Sequence, residues 1–242
     1  MSKQSRLDGQ VIWVIGASGA LGLALCEHLA VEGARVVASS RTLEALPAEG
    51  QGVTRLALDV RDNAAVQDAA AQIVTRFGRI DGLVTLPTIA RFGEFTTLND
   101  QDWLDVLDTK LLGSIRSARA VLPQMIAQGS GSLVFISGRG GSVPPPKHLP
   151  GACANAALNL LVQGLATQYG EQGIRANAVA PGPIESPRLE QMKGRVAGST
   201  SALGGPGQPQ DVADAVAFLL SQQARHITGI TLPVDGGRPK SA

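Results

Sequence analysis

VIWVIGASGALG, residues 11–22, is a five-residue apolar run that breaks into a glycine-rich turn and continues as the apolar helix LALCEHLAVEG. A continuously apolar run is what a parallel strand covered on both faces requires. Gly16 permits the tight turn out of that strand. Ser18 and Gly19 let backbone N–H groups approach a pyrophosphate, and Leu21 lies in the same turn. Gly22 lets the helix pack close to the sheet, with its N-terminus favouring an anion. A glycine pattern alone says little; strand, turn and helix in this order, near the start of a βαβ unit, make a dinucleotide site the expectation.

Outward from this stretch, short apolar runs alternate with longer helical ones. Val11–Ile15, Ala34–Ala38, Val53–Leu58, Leu83–Leu86, Leu133–Ile136, Ala176–Ala180 and Ile230–Val234 are predicted strands. Helical patterns fall near 20–32, 63–77, 100–128, 152–170 and 210–221. The alternation predicts an α/β chain: a doubly wound Rossmann fold with a seven-stranded, mostly parallel sheet and helices on both faces. With no repeat and no linker, residues 1–242 are expected to form one dinucleotide-binding domain.

Composition excludes several function classes. The formal net charge is +1 and the pI about 7.8, so no field draws the chain to nucleic acid or an anionic membrane. Aromatics are 3% of the chain, too few for base-stacking platforms. No apolar run reaches the roughly 18 residues of a membrane span. Three scattered His and two Cys give no metal-ligand spacing. Cys26 and Cys153 lie in apolar helical stretches and are expected to pack as reduced thiols, and the setting is expected to be cytoplasmic. His28 and His226 have no partner pattern and are expected at the surface.

The second strand ends Ala38-Ser39-Ser40-Arg41-Thr42. A carboxylate there would hold the ribose 2′-hydroxyl of NAD(H) and repel a 2′-phosphate. Ser40 and Arg41 supply a hydroxyl and a guanidinium instead, which suit phosphate. NADP(H) is therefore favoured over NAD(H).

Over its whole length the chain resembles the single-domain short-chain dehydrogenase/reductase family. Gly16–Gly22 resembles the TGxxxGxG loop, with Ile15 for Thr and Ala20 for the middle Gly. Asp59-Val60 matches the pair that holds adenine. Pro181-Gly182-Pro183-Ile184-Glu185-Ser186 resembles the PGxxxT segment at the nicotinamide end, and ITGITLPVDGG matches the last strand. The resemblance implies pairing into homodimers or homotetramers through the helices near 100–128 and 152–170.

The family reduces carbonyls with a Tyr acid, a Lys four residues later, a Ser after the fifth strand and an Asn on the preceding long helix. Here Asp108-Thr-Lys-Leu-Leu-Gly113 resembles DVNLKG and puts Lys110 at the Asn position. Val134-Phe-Ile-Ser-Gly138 resembles VNISS and puts Gly138 at the Ser. Gly151-Ala-Cys-Ala-Asn155 resembles YSASK and puts Gly151 at the Tyr and Asn155 at the Lys. Ser137, next to the Ser position, faces the other way if the strand continues. Where the family has NNAG, this chain has Thr85-Leu86-Pro87-Thr88, which puts the inner half of the site in question.

A positioned acid or base is worth about 10²–10⁴ in rate. Glycine donates nothing, so ordinary Tyr/Lys reduction is not expected. Two substitutes suggest themselves. Lys110 shares an arc with Trp103, Val106, Leu107 and Ser114; its ammonium either reaches Asn155 or snorkels from the helix edge. His148 has an imidazole suited to proton transfer near neutrality, or is an exposed loop residue. Three readings stay open: an NADP(H)-binding protein without redox chemistry, an NADPH-dependent oxidoreductase with a rebuilt site, and a structural partner subunit. The loops at 138–150 and 181–209 are expected to be functional lids or mobile segments at the ligand-binding end of the sheet, and under the rebuilt-site reading residues 183–207 cover a small-molecule substrate.

Overall fold

The computed structural model describes residues 5–191 and 201–237. Seven strands lie in the order β3-β2-β1-β4-β5-β6-β7. They are β1 (Val11–Ile15), β2 (Arg35–Ser40), β3 (Val53–Ala57), β4 (Gly82–Thr85), β5 (Gly131–Ile136), β6 (Ile174–Pro181) and β7 (Thr231–Val234). All six pairings are parallel, so the expectation of a mostly parallel sheet sharpens to a wholly parallel one. The reversal of strand order between β1 and β4 is the switch point where such sheets bind ligands.

Helices cover both faces. On one, α1 (Ala20–Val31) and α7 (Pro209–Leu220) bury Leu25, Leu29, Val212 and Val216 against Ile12, Val14 and Val134. On the other, α2 (Asn63–Phe77), α4 (Gly113–Gln128) and α5 (Leu149–Tyr169) close over Trp13, Leu83, Leu133 and Phe135. Asp62 caps α2 by accepting from the N–H groups of Ala64 and Ala65, and Gly78 ends it in the left-handed conformation. The short helix α6 is Pro187–Gln191.

The helix predicted over 100–128 is not continuous. α3 (Asp100–Val106) opens with an Asn99–Asp102 capping box, passes into a π-helical turn at Leu107–Leu112, and only then becomes α4. Hydrophobic spacing reports the faces of a helix and is blind to one widened turn. By length and composition, Leu149–Gln172 is apolar enough to cross a membrane. It is a core helix here, with Gly151, Ala154, Leu158 and Val162 buried.

Candidate functional site

The C-terminal ends of β1 to β6 open on one cleft of about 1170 Å³. At its floor, Gly16 takes φ +89°, and a Cβ there would come within 2.9 Å of Leu86 and Pro87 main-chain atoms. Gly22 is closed in the same way by Ala17, whose Cα would be 2.6 Å from an added Cβ. Gly19 is the opposite case: a Cβ there would meet nothing within 4 Å. The turn is pinned by its Gly16 and Ala17 N–H groups, which donate to the Ser39 carbonyl at 2.8 and 3.1 Å. It is therefore rigid behind and open in front, the shape an approaching pyrophosphate needs.

Gly16, Ser18, Gly19, Leu21, Gly22, Ser40, Arg41, Asp59, Val60, Pro181, Gly182, Ile184 and Ser186 all line this cleft. Ser40 is more committed than expected. Its Oγ donates to the Thr42 carbonyl at 2.8 Å and accepts from the Thr42 N–H at 3.3 Å. Arg41 is exposed at the rim. Arg61, passed over in the sequence, brings a second guanidinium to the same end. It grips Asp59 at 2.6 Å and, with Arg41 adding at longer range, holds that carboxyl below its ordinary range. Its signal was its place two residues after the matched Asp59. Ser186 immediately precedes α6: its Oγ donates to the Ile184 carbonyl and accepts from the Leu189 N–H, both at 3.2 Å. Ile184 also bridges Gly207, so part of the 181–209 loop is ordered on itself, while residues 192–200 lie outside the described residues.

The four positions compared with the family tetrad converge on the other half of the cleft. Lys110 does not snorkel outward; it is 8% exposed. Nor does it bond Asn155 Oδ1, as the inward alternative had it. Its ammonium donates to the carbonyls of Ile136 and Ser137, at 3.2 and 3.0 Å, because the π-turn aims it at the C-terminal end of β5. Asn155 is buried, and its Oδ1 has no hydrogen-bond partner. Its amide fills the space over Gly138, where a Cβ would lie 2.9 Å from Nδ2. Thr109 lines the same wall with its hydroxyl likewise sealed and unpartnered. Ser137 turns away, its Oγ donating to the Val179 carbonyl at 3.3 Å.

Gly151 has its missing side chain replaced from within the chain. A Cβ there would lie 2.1 Å from Nε2 of His148 and 2.5 Å from Cε1. His148 is thus no exposed loop residue. It is the N-cap of α5, half-buried, stacked on Phe92 with ring centroids 4.4 Å apart, and its Nδ1 lies 3.0 Å from the Arg91 carbonyl. Across the cleft, Arg139 bonds Asp235 beyond β7, a pair separated by 96 residues and invisible to any local pattern. Leu86 and Pro87 line the inner half without filling it.

Two side expectations need correction. Cys153 is exposed, on the face of α5 turned from the sheet; Cys26 is buried, and burial pushes its thiol up to about 12. The same α5 face carries Leu160 at 69% exposure. His28 is not a free surface residue: Nε2 approaches Asp214 at 3.0 Å, and Gln210 meets Nδ1 at 2.8 Å. His226 is exposed, as expected. Among the described residues, no three His, Cys, Asp or Glu side chains gather as a metal site.

Known proteins place this geometry. The family profile described as Enoyl-(Acyl carrier protein) reductase matches residues 16–238. The chain is 33% identical over 242 residues to the 3-oxoacyl-[acyl-carrier-protein] reductase FabG of Thermotoga maritima, covering 96% of this chain and 98% of that one. It is 30% identical over 251 residues to the 2,3-dihydro-2,3-dihydroxybenzoate dehydrogenase of Bacillus subtilis, with 96% of each covered. Among solved structures, it is similar to a gluconate 5-dehydrogenase from Burkholderia cenocepacia in complex with NADP and tartrate. The TM-score is 0.91 at 29% identity, over 99% of this chain and 98% of that one. With the turn, the wholly parallel sheet and the cleft at its switch point, these likenesses identify the chain as a member of the short-chain dehydrogenase/reductase family of oxidoreductases.

Proposed function

We propose that this protein binds NADP(H) in the cleft and does not carry out ordinary Tyr/Lys-driven carbonyl reduction. The observation that carries the reading is the contrast between the two halves of one cleft. At the phosphate end, the turn is closed behind by Gly16 and Gly22 and open at Gly19, with Arg41 and Arg61 at the rim. Two guanidiniums, with the carboxylate of Asp59 already held by Arg61, favour a 2′-phosphate over a bare hydroxyl. When bound, the cofactor would supply hydride transfer; the chain supplies its cradle and orientation. At the other end, a glycine stands at 151 and an uncharged amide at 155, so neither of these two positions offers a phenol or an ammonium.

Calorimetric titration tests this. Wild-type protein is expected to bind NADPH more tightly than NADH. A charge-assisted hydrogen bond is worth about 1.5–3 kcal/mol, so Arg41→Ala should weaken NADPH by roughly 10- to 100-fold and leave NADH nearly unchanged. Equal affinity for the two cofactors in wild type, or no binding of either, would refute the reading; the second outcome would favour a structural partner subunit.

A further inference from the structure

We infer that His148 is the proton-exchanging residue of this cleft, and that it serves the oxygen of a small, uncharged, largely apolar alcohol or ketone. The inference rests on the cofactor reading above and adds the chain's own chemistry to it.

The imidazole is held in one orientation from several sides. A carbonyl has no hydrogen to give, so the contact from Nδ1 to the Arg91 carbonyl at 3.0 Å requires the hydrogen on Nδ1. That assigns the tautomer. Nε2 carries a lone pair when the ring is neutral and an N–H when it is protonated. Phe92 stacks on the ring, with an interplanar angle of 27°. The backbone beneath is tied down as well: the His148 N–H donates to Pro145, the His148 carbonyl accepts from Ala152, and the Gly93 N–H donates to Lys147. A ring oriented by a second group through its other nitrogen is the arrangement in which imidazole transfers protons effectively.

Gly151 belongs to the same device. Any side chain at 151 would occupy the volume of Nε2 and Cε1, so the glycine is the room the imidazole requires. His148 and Gly151 stand three apart at the start of α5, which puts them on one face of the first turn. The loss of a side chain at 151 and the arrival of a titratable ring in its space are one change.

The walls define the substrate. Ile89, Phe92, Val143, Pro144, Pro145 and Leu189 line this side of the cleft. The cations nearby are engaged: Arg91 with Asp102 and Asp105, Lys147 with Glu94, Arg139 with Asp235. Lys110 is held on the Ile136 and Ser137 carbonyls, so the walls rather than the ion pairs argue the class: an uncharged apolar substrate gains from them directly. In the oxidative direction, the substrate hydroxyl gives its proton to Nε2. A nicotinamide held in the cleft would supply the acceptor for the carbinol hydrogen and its electron pair, so that the C–O single bond would become a carbonyl. In the reductive direction, Nε2–H returns that proton to the oxygen as the hydride arrives.

The test combines ¹⁵N NMR of the imidazoles with binding and turnover, using His148→Gln and, as a second variant, Gly151→Ala. Wild-type His148 is expected to show the Nδ1–H tautomer without any cofactor. In the NADP⁺-loaded protein, cyclohexanol or 2-octanol should shift its Nε2 resonance. Turnover of these probes should fall by about 100-fold or more in His148→Gln, with NADPH affinity within about twofold of wild type. Gly151→Ala should displace the ring and lose the Nδ1 signature while still binding NADPH. An Nε2–H tautomer, an unresponsive Nε2 resonance, or equal turnover in His148→Gln overturns the inference while leaving cofactor binding intact. Failure of wild type to bind NADPH instead overturns the cofactor reading, and this inference with it.

Discussion

Gly22→Ala sets two effects of opposite sign against each other. Gly22 is buried in the first turn of α1. Alanine is the better helix former by about 1 kcal/mol, so propensity alone predicts a more stable protein. The added Cβ, however, would lie 2.6 Å from Ala17 Cα, 2.7 Å from Ala17 C and 2.8 Å from the Gly16 carbonyl oxygen. Ordinary carbon contacts begin near 3.5 Å, so the helix must retreat from the turn by roughly 1 Å. All three atoms are backbone, and no rotamer change relieves the contact. Overpacking of this kind costs about 1–3 kcal/mol. Net of propensity, the expected loss reaches about 2 kcal/mol, which for a chain of this size lowers Tm by roughly 4–8 °C at most. The displaced turn is the one that Gly16 and Ala17 anchor on Ser39, so NADPH binding should weaken about tenfold or more for 1.4 kcal/mol of lost fit. Gly19→Ala is the control. Its Cβ meets no protein atom, so Tm should stay near wild type while NADPH binding falls, because that Cβ enters the open front of the turn. Urea denaturation and calorimetry on the same samples decide the matter. A Gly22→Ala protein as stable as wild type, with undiminished NADPH affinity, would refute the rigid-turn reasoning.

Two further outcomes are expected away from the cleft. Arg175 donates to the carbonyls of Leu219 at 2.6 Å, Leu220 at 3.2 Å and Ser221 at 3.4 Å, closing the end of α7, and burial alone lowers its pKa. Arg175→Met should therefore cost about 2–4 kcal/mol in urea denaturation, by stranding those acceptors, and a loss below about 0.5 kcal/mol would contradict this role. Glu32, hydrogen-bonded and paired with Arg6 at 2.5 Å, has its carboxyl lowered from 4.5 to about 2. A depressed carboxyl stabilises the fold above its unfolded pKa and loses that contribution as pH falls through the folded one, so the stability gap between wild type and Glu32→Gln should be full above about pH 5 and close toward pH 2. A gap that does not vary with pH would remove the pair from the account.

The sheet was legible because burial on both faces writes itself as apolar runs. Val11–Ile15 is a strand over the predicted residues, and the other six differ only at their ends. The end of β2 shows why. An apolar run stops at Ala38, yet the strand continues through Ser39, whose Oγ accepts the Trp13 indole N–H at 2.9 Å in the core. A polar residue satisfied inside the protein looks like a strand end in sequence. The phosphate turn was legible for a similar reason, since glycine is required where main chain meets main chain. The other half of the cleft was harder. Lys110 stayed open between an inward and an outward position, because its acceptors include main-chain carbonyls and carbonyls carry no residue signature. His148 passed for a loop residue because the contacts that fix it include a backbone oxygen, a ring far back in the chain and an absence at Gly151. The signal was nonetheless present: Pro150 near the start of α5 marks His148 as a cap, and Gly151 lies one helical turn on.

The π-turn at Leu107–Leu112 gives the long helix two phases. Residues 100–106 and 113–128 do not share a continuous face, so the segment behaves as two rods joined by a fixed twist rather than as one. Where Lys110 points is thereby a matter of length as well as of residue type. Shortening this turn by one residue would re-index every position after it and swing the ammonium away from β5, even with the lysine retained. Divergence at this site can therefore proceed by insertion and deletion within a helix, a route that comparison of residue types position by position does not display.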